Sequence, residues 1–213
     1  MPTATHQNPP SPPSERPIPD ALAGVFSALP ASDALSAALA EGEEIAAIIA
    51  TLGLPDDVRL AARVTPLVRA GLVAPDSLIN NDLSHIHELV SELTALSAFA
   101  LPPDWKPGEA LATQQSDALR KMLLAVVSDV RLVLARIAEQ LYRLRQAKQS
   151  PDAMRRRIAI ETREIYAPLA SRLGVWQLKW ELEDLAFRYL EPRVYGDIAA
   201  ALREKRGERE AFI

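Results

Sequence analysis

Few side chains here are both reactive in type and grouped in sequence. Cysteine is absent from the 213 residues, which excludes disulfides, zinc–thiolate sites and thiol nucleophiles. His85 and His87 flank Ile86 as an HxH pair. On a helix, positions i and i+2 point about 200° apart, so one metal ion does not easily meet both, and the pair reads as capping or surface histidine. Arg155, Arg156 and Arg157 are consecutive. They would cover more than half of a helix circumference, so they read as a solvated face, not as one flat nucleotide or RNA contact. No glycine-rich phosphate loop is present, and no Ser-His-Asp arrangement has a sequence anchor. Any site must be assembled from residues far apart in the chain.

The elements that would assemble it are helical. Hydrophobic residues make up 48% of the chain, aromatics only 5%, and Ala and Leu dominate, a balance that favours helix over sheet. The formal charge of −4 gives no electrostatic reason to expect nucleic acid. No run of about eighteen apolar residues is present to span a membrane, and no basic segment leads into an apolar core as in a secretory signal. A cytoplasmic helical protein without a membrane partner is expected. Residues 1–19, with prolines at 2, 9, 10, 12, 13, 17 and 19, read as a disordered Pro-rich tail.

Order is expected from Asp20, an N-cap candidate for a helix that stops at Pro30. Ser32 starts a second helix, running through Ala40 or breaking near Gly42, and helix resumes from Glu43 to Leu52 with Gly53 at its end. Another helix begins at Pro55-Asp56 and meets Pro66, residues 70–82 read as short helix and turns, and residues 84–99 as helix. Residues 102–113 form the clearest loop. From Ser116 to Ser150 no Gly or Pro interrupts an apolar stripe that includes Val130, Val133, Leu134, Ile137, Leu141 and Leu144, which predicts one long core helix. Ser150-Pro151-Asp152 restarts the chain with Ser as cap and Pro at the first helical position. That helix must kink or stop at Pro168. Gly174 precedes a helix whose apolar face is Leu178, Leu182, Leu185 and Tyr189, with Lys179 and Glu183 paired outside, and a last helix follows Pro192.

The segment from Ile165 to Pro192, IYAPLASRLGVWQLKWELEDLAFRYLEP, holds two of the three Trp and two of the four Tyr. It resembles the segment joining the catalytic halves of RelA/SpoT-type proteins, which make and degrade the guanosine alarmone (p)ppGpp. ALRKMLLAVVSDVRLVLARIAEQLYRLR carries the resemblance further back, and in all it covers about residues 41–213. It implies an all-α, HD-domain-like multi-helix bundle over residues 20–192. It further implies a C-terminal linking helix over 193–213, leading toward a synthetase domain whose first residues EREAFI resemble.

An active HD hydrolase holds Mn²⁺ through a His, a His-Asp pair and a distant Asp, because imidazole and carboxylate together suit a divalent ion that activates water. Aligned on the resemblance, the first His falls on Glu41 and the His-Asp pair on Thr65 and Pro66. The acidic pair that follows falls on Arg69 and Ala70, the distant Asp on Glu139, and an Asn on Arg143. Proline offers no ligand atom, threonine replaces imidazole poorly, and Arg69 would repel a cation. Glu41 and Glu139 alone read as ordinary glutamates on helix surfaces, and Tyr142, at a family His position, as packing with its hydroxyl outward.

The resemblance thus implies a catalytically inactive regulatory pseudo-hydrolase domain of a GTP pyrophosphokinase, with no cofactor. Its partner would be the family's synthetase domain, and a guanine nucleotide is a candidate ligand. Trp176, Trp180, Tyr189 and Tyr195 are expected to carry interdomain coupling through large buried contacts. Two other readings stand beside this one: a residual Mn²⁺-dependent 3′-pyrophosphohydrolase, and a stand-alone interaction module.

Overall fold

Apolar residues at helical spacing, punctuated by Gly and Pro, produce a chain of helices in a computed structural model that describes residues 20–27, 29–80, 83–97 and 129–210. The expected tail, the loop at 102–113 and residues 116–128 of the expected long helix lie outside the described residues. The helices are α1 (Asp20–Ser27), α2 (Asp33–Thr51), α3 (Asp56–Arg69), α4 (Pro75–Asn80), α5 (Ser84–Ser97), α6 (Val130–Gln146), α7 (Asp152–Glu161), α8 (Ala167–Arg172), α9 (Trp176–Leu190) and α10 (Pro192–Glu210). A 3₁₀ turn (Ala147–Gln149) follows α6, and a π-helical turn (Thr162–Tyr166) joins α7 to α8. No strand occurs among the described residues. The all-α expectation holds.

Helix α6 is the shared wall. On one side it meets α2, α3 and α5; on the other it meets α7, α9 and the π-turn. Its buried face includes Leu132, Ile137, Ala138, Leu141 and Leu144, which join Ile49, Val58 and Val64 to Tyr166, Leu169 and Leu182 in one core. Burying a Leu or Ile side chain contributes about 1.5–3 kcal/mol, so this continuity holds the two sides together. A smaller cluster of Leu35, Ala38, Leu67 and Val73 closes the far end of α2 and α3, with Phe26 of α1 packed against it. Helix α10 packs on α9.

Four local readings change in the folded chain. Gly42 does not break α2, which is continuous from Ser32, whose side chain accepts from the Leu35 amide at 3.1 Å. A Cβ at Gly42 would stand 2.5 Å from the Arg63 carbonyl oxygen, so this glycine marks the point where α2 and α3 cross closest. Pro66 does not end α3, which continues to Arg69. The long helix has a start within the described residues, because Asp129 is extended and its side chain caps α6 through the Arg131 amide. Pro151, not Ser150, is the N-cap of α7.

At Pro168 the chain neither stops nor breaks. The preceding turn widens to π geometry, the Ala167 amide donating to the Thr162 carbonyl, and α8 begins with Pro168 in its first turn. Proline removes a donor and crowds the preceding turn, and the wider turn accommodates both effects.

Candidate functional site

Three residues far apart in sequence meet where α2, α3 and α6 pack. The close crossing at Gly42 places Glu41 beside the end of α3, and the last turn of α3 carries Arg69. Arg69 Nη1 donates to Glu139 Oε1 at 2.6 Å, while its Nη2 donates to Glu41. The second Glu139 oxygen accepts from Ser97 Oγ at 3.1 Å and lies 3.5 Å from Arg136 Nη1. Thr65 and Pro66 sit one turn before Arg69 and line a hollow with Ile45, Ala62, Leu93 and Ala135. Its volume of about 10 Å³ is what a single water needs.

The side chains expected at family ligand positions therefore converge, but they do not form a ligand set. Thr65 turns its hydroxyl back, donating to the Ala61 carbonyl at 2.8 Å, and Pro66 has no donor atom. Both carboxylates are engaged by a guanidinium. Among the described residues, no group of three or more His, Asp or Glu is arranged to hold a metal ion. The donors present do not fit the metal of an HD hydrolase.

Glu139 corrects one expectation outright, since it is buried with 5% of its surface exposed and is no surface glutamate. Burial alone would push its carboxyl up, but Arg136 and Arg69 outweigh that and hold it below the usual glutamate value. Partial burial likewise opposes the Arg69 charge, while Glu139 and Glu41 raise its pKa above the ordinary arginine value. Glu41 is only half-buried. Tyr142 is half-buried beside the corner, and burial followed by the charges of Glu41 and Glu44 pushes its hydroxyl up.

A second polar layer lies deeper. Arg136 is 1% exposed, with its guanidinium 5.0 Å from the centre of the Tyr166 ring and its Nε donating to the Leu96 carbonyl at 3.4 Å. Glu161 is 2% exposed and 3.7 Å from Arg143, which donates to Gln140 at 2.9 Å; Gln140 in turn donates to Thr162 at 2.9 Å. Burial pushes Glu161 up against the pull of Arg143 and Arg136. Burial also pushes the Tyr166 hydroxyl up to about 12. Arg136 Nη1 and Glu161 Oε1 carry no hydrogen bond.

The sequence reading took Arg143 as a lost position and missed Arg136, Gln140, Glu161, Thr162 and Tyr166. A signal was available: Arg136 and Gln140 interrupt the apolar stripe of α6 at core spacing. A polar residue at a core position requires buried partners.

The other sequence candidates do not join this site. His85 is 65% exposed on its side chain, 3.7 Å from Asp57, and His87 is half-buried on α5. The arginine run is less solvated than expected. Arg155 bonds Asp152 at 2.6 Å and stands over Tyr189, and Arg156 donates to the Leu190 carbonyl at 3.4 Å.

Trp176 and Trp180 also depart from expectation: they are 54% and 65% exposed, not buried. Tyr189 and Tyr195 are half-buried, Tyr195 edge-on to Phe187 with its hydroxyl donating to Asp184 at 3.3 Å. The large apolar residues left exposed, Trp176, Trp180 and Phe187 on α9 and Val194, Ile198 and Leu202 on α10, recur at helical spacing and form an exposed ridge along each helix.

A helical bundle with a corner of aligned ligand positions at the packing of α2, α3 and α6 has the layout of an HD domain. The HD domain family matches residues 28–176. The chain is 40% identical over 175 residues to a GTP pyrophosphokinase of Photobacterium angustum and 39% identical over 172 residues to one of Escherichia coli K12. Each alignment covers 81% of this chain and 23% of the relative. A probable guanosine-3′,5′-bis(diphosphate) 3′-pyrophosphohydrolase of Synechocystis is 42% identical over 125 residues, covering 59% of this chain and 16% of that protein. The chain belongs to the RelA/SpoT family, through its HD domain. It spans about a quarter of the length of the curated relatives it matches. No described helix is long and apolar enough to cross a membrane.

Proposed function

We propose that this is a catalytically silent, regulatory HD domain, acting in the cytoplasm on the synthetase activity of a (p)ppGpp synthetase of the GTP pyrophosphokinase kind. One observation carries the reading: at the aligned ligand positions, Thr65 and Pro66 offer nothing to a metal, and Glu41 and Glu139 are both taken by Arg69. Without a metal-bound water, the domain has no nucleophile for a 3′-pyrophosphate. The test is chromatographic. Purified chain incubated with ppGpp and Mn²⁺ is expected to release no GDP or pyrophosphate above a blank, and turnover abolished by Glu139→Ala would overturn the reading.

Regulation would act through docking. The exposed ridge from Trp176 to Leu202 presents rigid aromatic anchors, the residue types that dominate interface energetics. In this reading the ridge meets a synthetase-type domain, and guanine nucleotide is a candidate effector. Titration calorimetry with a synthetase fragment of a GTP pyrophosphokinase relative is expected to show binding that Trp180→Ala weakens about tenfold. A residual 3′-pyrophosphohydrolase is the second reading, favoured by the likeness to the Synechocystis protein.

A further inference from the structure

The degenerate corner contains a cation of its own. Glu41 and Glu139 lie 98 positions apart in sequence, on α2 and α6, and converge on one point, as two carboxylates do around a metal. What stands at that point is the guanidinium fork of Arg69, one nitrogen to each carboxylate. Arg136 adds positive charge beside the corner, since its Nη1 lies 3.5 Å from the other Glu139 oxygen.

We propose that Arg69 is a resident cation that replaces the metal of this corner, bracing α2, α3 and α6 through Glu41 and Glu139 without any metal ion. Arginine suits the task for physical reasons. It is charged at every accessible pH, and its planar fork can bond two acceptors at once. It is tethered to α3, so it does not exchange with solvent ions. The result is a corner that keeps the mechanical role of a metal, tying three helices together, and loses the chemical one. The inference rests on the reading of this corner as a hydrolytic site that lost its metal, but its test is a stability measurement and stands apart from any assay of turnover.

The experiment is thermal unfolding of the full chain and three variants, each with EDTA, with Mn²⁺, and with millimolar methylguanidinium. Arg69→Ala is expected to lower the midpoint by about 3–6 °C, as for loss of a partly exposed ion pair in a chain of this size. Methylguanidinium is expected to recover about half of that loss by entering the space left by Arg69. The doubly substituted Arg69→Ala, Glu139→Gln chain is expected to show no recovery, and the unsubstituted chain no response to Mn²⁺.

Arg69→Lys covers the case in which the alanine variant does not fold, because an ammonium cannot fork to both carboxylates and the midpoint should still fall. Three outcomes overturn the proposal: no recovery of Arg69→Ala by methylguanidinium, Arg69→Lys as stable as the parent, or Mn²⁺ stabilisation of the parent that Glu139→Gln abolishes. Hydrolysis of ppGpp with the rescue pattern intact would remove the functional reading and leave Arg69 as the brace.

Discussion

The corner at Arg69 and the ridge along α9 and α10 put opposite residue types to opposite uses. The corner buries charge: Arg136, Glu139 and Glu161 are each at most 5% exposed. The ridge exposes apolar surface, with Trp180 at 65% and Leu202 at 63%. Buried charges favour partners within the fold, so Glu139 is engaged by Arg69 and Ser97 there, while Arg136 Nη1 and Glu161 Oε1 carry no hydrogen bond. An exposed apolar stripe keeps much of its surface in solvent, even with Lys179 over the Trp176 and Trp180 rings and Tyr195 edge-on to Phe187, and is the feature that another surface can complete. The corner turns its charges on one another, whereas the ridge leaves apolar surface to solvent.

The largest effect should come from the corner. Arg136→Ala leaves Glu139 and Glu161 without their deepest counter-charge and strips the cation from the Tyr166 ring. Urea unfolding is expected to show a loss of about 3–5 kcal/mol, and a loss under about 1 kcal/mol would mean that the buried layer is not coupled as its geometry implies. Next comes Gly42→Ala, which forces a methyl group to 2.5 Å from the Arg63 carbonyl oxygen. The crossing of α2 and α3 must open, at about 1–3 kcal/mol by the same measurement, and Arg69 should loosen from Glu41 with it.

The two buried glutamates should titrate in opposite senses. Glu139 is held below the ordinary value of 4.5, so its stabilisation is present above pH 4.5 and fades as pH falls through its lowered folded value. Glu161 is raised above 4.5, so its contribution is fully present below 4.5 and fades as pH rises through its raised folded value. Melting temperature against pH should show the parent's advantage over Glu139→Gln shrinking below pH 4.5. Its advantage over Glu161→Gln should instead grow as pH falls toward 4.5. Parallel curves for both variants would contradict this difference. The smallest effect belongs to the ridge: Trp180→Ala should alter unfolding by less than about 0.5 kcal/mol, since the side chain is mostly in solvent. A larger loss would show that the ridge contributes to the fold itself.

Much of the fold could be read from residue patterns. The apolar stripe of α6, the Ser32 cap and Lys179 paired with Glu183 at 2.7 Å are local features, set by helical periodicity and by groups within four residues. Pro66, Gly42 and Pro168 misled because their usual helix-breaking effect is a prior that packing can override. Gly42 serves a helix crossing, Pro66 lies in a buried stretch of α3, and Pro168 is relieved by the π-turn. In the corner, that Thr65 and Pro66 are poor metal-ligand types was legible in the sequence. The burial of Glu139 was not.

Residue identity alone determined that the chain is helical and that it carries the RelA/SpoT signature in IYAPLASRLGVWQLKWELEDLAFRYLEP. Those facts depend on side-chain chemistry and short-range spacing. Only the tertiary structure decided that Arg69 spans Glu41 and Glu139, that Arg136 lies under Tyr166, and that Trp176 and Trp180 remain outside. Each of these depends on how helices distant in sequence cross. Whether a charge is buried, paired or exposed is a property of that crossing and not of any single helix.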